Sequence, residues 1–201
     1  MAYSQKDEEQ VIVQLAERQR LMPGRFLDIG AYDGKTFSNT LRLVELGWSG
    51  VCVEPSPSVF VGLMKCHAEH PGITLVNAAV DVESGWAEFY DSGGDAVSTS
   101  DPCHAVKWTQ NAGVKFTKFH LFTLSIAELF LRFGTDFDFI NIDVEGNNWK
   151  LFCAMPWNML TRTRIVCVEY DAQADQMMKL MAEHSFAVAH RTSENLIFSK
   201  I

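Results

Sequence analysis

Four short runs dominate this chain, each almost wholly apolar until an acid appears near its end: Phe26 to Gly30, Val51 to Glu54, Phe137 to Asp143 and Arg164 to Tyr170. A strand that is apolar on both sides has both faces covered, and stretches with helical patterning lie between these runs. That alternation predicts a doubly wound α/β fold, with a parallel sheet and helices on both faces. Such sheets take ligands beyond the carboxyl ends of their strands. Asp28, Glu54, Asp143 and Glu169 close or nearly close these runs, so function is expected there.

The remaining punctuation fills in the order of elements. Ser4 to Arg20 reads as a helix, with Ser4 and Asp7 as a capping pair, stopped by Pro23-Gly24. Lys35 to Leu46 reads as a helix ended by Gly47. Ser56-Pro57 opens another, through His67. Ile73 to Val80 is expected as one strand, and Trp86 to Tyr90 as a hairpin arm turning at Ser84-Gly85. Asp91 to Gly113, rich in Gly, Ser and Asp, reads as a surface loop. Lys115 to Leu124 is expected as a strand, Ile126 to Phe133 and Asn148 to Met155 as helices, and Asp171 as the cap of a helix through His184. Phe186 to His190 and Asn195 to Ser199 close the chain as a hairpin. No linker divides the sequence. Residues 1–201 therefore read as one domain, with an N-terminal helical segment at 1–22 and an irregular insertion at 91–120 near the expected binding site.

Composition narrows the function classes. The net charge of −8 over 201 residues, with no basic run, argues against sequence-independent nucleic-acid binding. The five cysteines form no C-x-x-C pair, so neither a disulfide framework nor a zinc site is expected. Cys52 and Cys167 sit inside apolar runs as small buried hydrophobes, which suits the cytoplasm. The polar, acidic start is unlike a signal peptide, and no apolar run approaches the ~18 residues a membrane span needs.

The turn after the first run carries the chemistry. Asp28-Ile-Gly-Ala-Tyr-Asp-Gly34 links a strand to the next segment, and its glycines let the backbone pass close to a ligand. It is not G-x-G-x-x-G, because Tyr32 occupies the middle position. That disfavours a dinucleotide, whose pyrophosphate needs the second glycine, and leaves a nicotinamide oxidoreductase as a weak alternative. Glu54 lies a little over twenty residues on, where an acid accepts hydrogen bonds from ribose hydroxyls.

With Phe37-Ser-Asn-Thr40, Gly47-Trp-Ser-Gly-Val51, Val53-Glu-Pro55 and Ile142-Asp-Val-Glu-Gly146, the sequence resembles the FkbM-type class I methyltransferases, from about residue 3 to about residue 155. Its Tyr3-Ser-Gln5 start, followed by Glu8 and Glu9, is similar to the lead-in of many members. The resemblance implies a Rossmann-like sheet of about seven strands, mostly parallel with an antiparallel last strand. It implies S-adenosylmethionine as methyl donor and a hydroxyl on a sugar, glycan or small molecule as acceptor. By the same resemblance Asp28, Gly30, Ala31 and Gly34 line the methionine end, Glu54 and Pro55 hold the ribose, and Ala79, within Asn77 to Asp81, lies against the adenine. Asp143 faces the reacting centre.

A hydroxyl acceptor needs its proton removed. Asp143 is the first candidate base and Glu145 the second; His104 and His120 are weaker ones. Asp143 and Glu145 would need a third ligand to hold a metal, and none is evident, so no metal is expected. Asp143-Val-Glu-Gly146 stands where amino-group methyltransferases carry Asn/Asp-Pro-Pro-Tyr/Phe, which favours oxygen. Trp149 is the best of the tryptophans for an acceptor pocket, whereas Met177, Met178 and Met181 read as packing. The alternative function is a methyltransferase-like module that binds cofactor or a partner without turnover. Neither a nucleic acid nor a membrane is an expected partner.

Overall fold

The computed structural model describes residues 2–201. In chain order the elements are α1 (Glu8–Arg18), β1 (Arg25–Ile29), α2 (Leu41–Glu45), β2 (Ser49–Val53), α3 (Pro57–Cys66) and β3 (Ile73–Val76). Then come β4 (Ala79–Asp81), β5 (Gly85–Asp91), α4 (Pro102–Ala112), β6 (Thr117–Ser125), α5 (Ile126–Phe133) and β7 (Phe139–Ile142). The chain ends with α6 (Asn148–Ala154), β8 (Ile165–Glu169), α7 (Ala174–Glu183), β9 (Phe186–Arg191) and β10 (Asn195–Lys200).

Seven strands form one sheet in the order β3-β2-β1-β7-β8-β10-β9. From β3 to β8 neighbours run parallel, and β10 runs antiparallel to β8. This is the doubly wound, mostly parallel sheet expected, with its last strand reversed. Alternation along each strand sorts side chains to two cores. Leu27, Ile29, Val51, Val53, Ile140, Ile142, Val166 and Val168 pack on one face with residues of α5, α6 and α7, among them Met177, Met178 and Met181. Phe26, Cys52, Phe139, Ile165 and Cys167 face the other way, toward α1, α2 and α3. Asp28 belongs to this second face by register, which puts an acid beneath the start of α2. All five cysteines are free thiols, and among the described residues no helix is long and apolar enough to cross a membrane.

The structure corrects several expected elements. The helix expected over Lys35–Leu46 keeps only Leu41–Glu45. Asp33 Oδ1 accepts from the Lys35 and Thr36 amides, and Ser38 Oγ from the Leu41 amide, so 33–40 is a side-chain-bonded turn. The strand expected over Ile73–Val80 is two, β3 in the main sheet and β4 in a second sheet of order β4-β6-β5. Asn77 divides them: its Nδ2 donates to the Glu54 and Pro55 carbonyls and takes the chain out of the ladder. Ser84-Gly85 therefore makes no hairpin, because β4 and β5 flank β6 instead of pairing.

The loop expected over Asp91–Gly113 is half helix. Asp101 caps α4 through the Cys103 amide, Pro102 opens it and left-handed Gly113 ends it. Two expected caps do not cap. Ser4 bonds the Glu9 amide from outside α1, and Asp171 accepts from Asn148 while Gln173 stands before α7.

Candidate active site

The carboxyl ends of β1, β2 and β7 open into one cleft, with an empty volume of about 1110 Å³, its mouth included. Asp28, Gly30, Ala31, Glu54, Pro55, Ala79, Asp143 and Glu145 all line it. Gly34 does not. It turns beneath the cleft, where a Cβ would meet Leu63 and His67.

Gly30 is a glycine by necessity. Its φ is +91°, and a Cβ there would overlap the Asp143 carbonyl oxygen. The β1 turn and the end of β7 thus touch backbone to backbone, which fixes Asp143 relative to the loop. Tyr32, also left-handed at φ 50°, donates its hydroxyl to the Gly94 carbonyl at 2.7 Å and ties the insertion to the turn.

Glu54 is 5% exposed and has no cationic partner among the described residues. Its Oε2 accepts from the Tyr32 amide at 3.0 Å and its Oε1 from the Ser56 amide at 2.7 Å, so the carboxylate is held rigidly. Burial lifts its pKa from 4.5 to about 7, against the pull of those two bonds. Beside it Val59, Ala78, Ala79, Val80 and Phe89 form an apolar slot.

Asp28 is differently occupied. Thr40 donates to its Oδ2 at 2.7 Å and Asn141 to its Oδ1 at 2.8 Å, while Asn39 donates to Asn141 Oδ1 at 3.1 Å. Burial raises the Asp28 pKa and these bonds oppose the rise. Its role in this geometry is to fix the floor of the turn.

At the other end, carboxylate oxygens of Asp143, Glu145 and Glu169 lie within 4.8 Å of one another. Glu169 is the third acid that sequence spacing did not bring to Asp143 and Glu145; adjacency of β7 and β8 supplies it. Burial first, then repulsion from Glu169 and Glu145, pushes the Asp143 pKa far up. Burial and the nearby Glu145 and Asp171 bring Glu169 to about 7. Asn148 Nδ2 steadies Glu169 at 2.7 Å. Asp143 and Glu169, buried side by side, cannot both ionise cheaply, so the pair retains a proton that it can exchange with a bound group.

His104 approaches from behind. Its Nε2 lies 2.9 Å from Glu145 Oε2 and 2.7 Å from Trp108 Nε1, and it lies outside the cleft lining. Thr99 Oγ1 donates to the Glu145 carbonyl at 2.6 Å, so the insertion is fastened to the Asp143–Gly146 turn. His120 sits on β6 opposite Glu88, away from the cleft. Trp149 stacks on Phe152 against the core and does not line the cleft. Sequence reading also missed Gln5 and Asn195, which line the far wall and come from opposite ends of the chain.

Residues 28–188 match the family described as the methyltransferase FkbM domain. No curated protein matches the sequence. Among solved structures, the chain is similar to the methyltransferase FkbM of Methylobacillus flagellatus KT, at 10% identity and TM-score 0.55, covering 87% of this chain and 43% of that one. It is similar to precorrin-6y C5,15-methyltransferase of Geobacter metallireducens GS-15, at 12% identity and TM-score 0.53, covering 100% and 93%. It also resembles the ribosomal protein L11 methylase of Lactobacillus delbrueckii subsp. bulgaricus, at 16% identity and TM-score 0.51, covering 100% and 81%. At these identities the likeness is one of fold.

Proposed function

The chain belongs to the methyltransferase FkbM domain family, and on that premise we propose that it transfers the methyl group of S-adenosylmethionine to a hydroxyl of a small molecule or glycan. The observation that carries this reading is one cleft with a rigid, uncompensated acid at one end and a proton-holding acid cluster at the other.

The residues fit the cofactor. Each Glu54 oxygen spends one acceptor position on a backbone amide and keeps another for a ribose hydroxyl. The apolar slot suits a flat base. No Lys, Arg or His is among the lining residues, and a negative cleft suits a sulfonium. When bound, the cofactor supplies a methyl group activated by positive sulfur.

The chain's own residues do the rest. Gly30 and Ala31 let the donor lie against the turn, and the insertion fastened by Thr99 covers the cleft and limits water. Asp143, the first candidate base, accepts the hydroxyl proton, with Glu145 the second candidate and Glu169 sharing the charge. A cation in the cleft favours the ionised acids, so the base becomes available when the cleft is filled. The absence of Asn/Asp-Pro-Pro-aromatic at 143–146 supports oxygen over nitrogen. Five unpaired cysteines support a cytoplasmic location.

Thermal shift with S-adenosylmethionine and S-adenosylhomocysteine tests the reading. Stabilisation by both, lost in Glu54→Ala, and label transfer to a hydroxyl in an acceptor pool are the expected results. A shift without transfer to any pool would turn the reading toward a binding module.

A further inference from the structure

The methionyl end of S-adenosylmethionine is a zwitterion, and in this cleft its carboxylate poses a problem. Among the described residues the walls offer acids and no cation. Neutral donors must therefore meet it, and the backbone of the glycine turn is largely spent. The Gly30 and Ala31 amides donate to the Val53 carbonyl, and the Tyr32 amide donates to Glu54. The Gly34, Lys35, Thr36, Ser38, Thr40 and Leu41 amides are also engaged within the turn, which leaves those of Asp33, Phe37 and Asn39.

The side-chain amides are unequal. Asn39 Nδ2 is divided between Asn141 Oδ1 and Cys167 Sγ. Asn195 Nδ2 donates to Glu8 Oε1 at 3.2 Å and keeps one hydrogen. Gln5 makes no side-chain hydrogen bond to any described residue, and it lines the cleft. Its neighbour there, Asn195, starts β10 opposite Glu169 in register, on the side of the sheet away from Glu54. Gln5 and Asn195 line the same cleft as Glu54, so a ligand held by its ribose at Glu54 and extending across β1 and β7 runs toward this wall.

The segment around Gln5 is held in place by unusual means. Glu8 and Glu9 are 0% and 5% exposed, and neither forms an ion pair with a described residue. Buried carboxylates are costly unless bonded. These two accept from the backbone on either side of Gln5: Glu9 from the Tyr3 amide at 2.8 Å, Glu8 from the Lys6 amide at 2.9 Å. The Tyr3 hydroxyl adds a bond to Glu45 at 2.7 Å. The result is a fixed bend with Gln5 between its anchors.

We propose that Gln5 is a donor-binding residue whose amide hydrogen-bonds the α-carboxylate of S-adenosylmethionine, with Asn195 beside it and Glu8 and Glu9 as positioning residues. The proposal rests on the cofactor reading above.

Two ligands separate the proposal from that reading. S-adenosylhomocysteine has the amino-acid end, and 5′-methylthioadenosine lacks it. Isothermal titration on the full chain is expected to show wild type binding both. Gln5→Ala is expected to weaken S-adenosylhomocysteine about tenfold, as loss of one bond to a charged group does, with methylthioadenosine unchanged. Gln5→Glu, which places a charge against the carboxylate, should weaken S-adenosylhomocysteine further. Unchanged binding of S-adenosylhomocysteine in both variants, or equal weakening of both ligands, overturns the proposal alone. Wild-type protein that binds neither ligand overturns the cofactor reading and this proposal with it.

Discussion

Replacing Glu54 by glutamine removes one titration from the fold while keeping the side chain's shape. Glu54 ordinarily titrates at 4.5 and in the folded protein at about 7, because burial disfavours its charge. An acid with a raised folded pKa binds its proton more tightly in the native state. Its contribution to stability is full below the unfolded pKa and is lost as pH rises through the folded one. Taking 1.36 kcal/mol per unit, the two pKa values make wild type lose about 2.5 kcal/mol between about pH 5 and about pH 8.5 that the variant does not lose. Glutamine leaves one of the Tyr32 and Ser56 amides without an acceptor, which costs about 1–3 kcal/mol at every pH and cancels when the two pH values are compared. Urea unfolding of both ligand-free proteins at the two pH values measures the difference directly. Glu169 and Asp143 act in the same direction in both proteins and also cancel. A wild-type-minus-variant difference that does not change with pH would refute the claim that Glu54 is a buried acid without a counter-charge.

Asp143→Asn should retain S-adenosylhomocysteine binding within a few-fold and lower label transfer by about 10²–10⁴; turnover within tenfold of wild type would remove Asp143 as the proton acceptor. Gly30→Ala should destabilise the fold by at least about 2 kcal/mol in urea, from backbone overlap with Asp143 and a strained left-handed φ; near-wild-type stability would contradict the contact described. Thr99→Val should cost about 1 kcal/mol and increase proteolytic cutting within 92–101 while leaving the main sheet protected. An unchanged cutting pattern would show that the bond to the Glu145 carbonyl does not hold the insertion.

The parts legible in the sequence were those in which burial on both faces leaves one reading. β1, β2, β7 and β8 are apolar on alternate residues toward two cores, and their acids fall at the ligand-binding edge. The misread parts were those in which a polar side chain takes over backbone bonds. Asp33 and Ser38 turn six residues of expected helix into a bonded loop. Asn77 breaks one expected strand in two. The α4 helix carried a visible signal, Asp101-Pro102 at its start and Gly113 at its end, hidden within a Gly- and Ser-rich stretch. Within the site, Asp28, Glu54, Asp143 and Glu169 announced themselves by ending strands. That Glu169 meets Asp143 and Glu145 follows only from the pairing of β7 with β8, and Asn195 enters only because β10 returns beside β8. Gln5 stood in the Tyr3-Ser-Gln5 lead-in, but nothing local placed it in the cleft, since that depends on what the far end of the chain places opposite.

A crystal structure of the protein with S-adenosylhomocysteine bound tests the central claim most directly. The account predicts the ribose hydroxyls within hydrogen-bonding distance of Glu54 and the sulfur turned toward Asp143. Density for the ligand outside this cleft, or within it with the ribose away from Glu54, would contradict it.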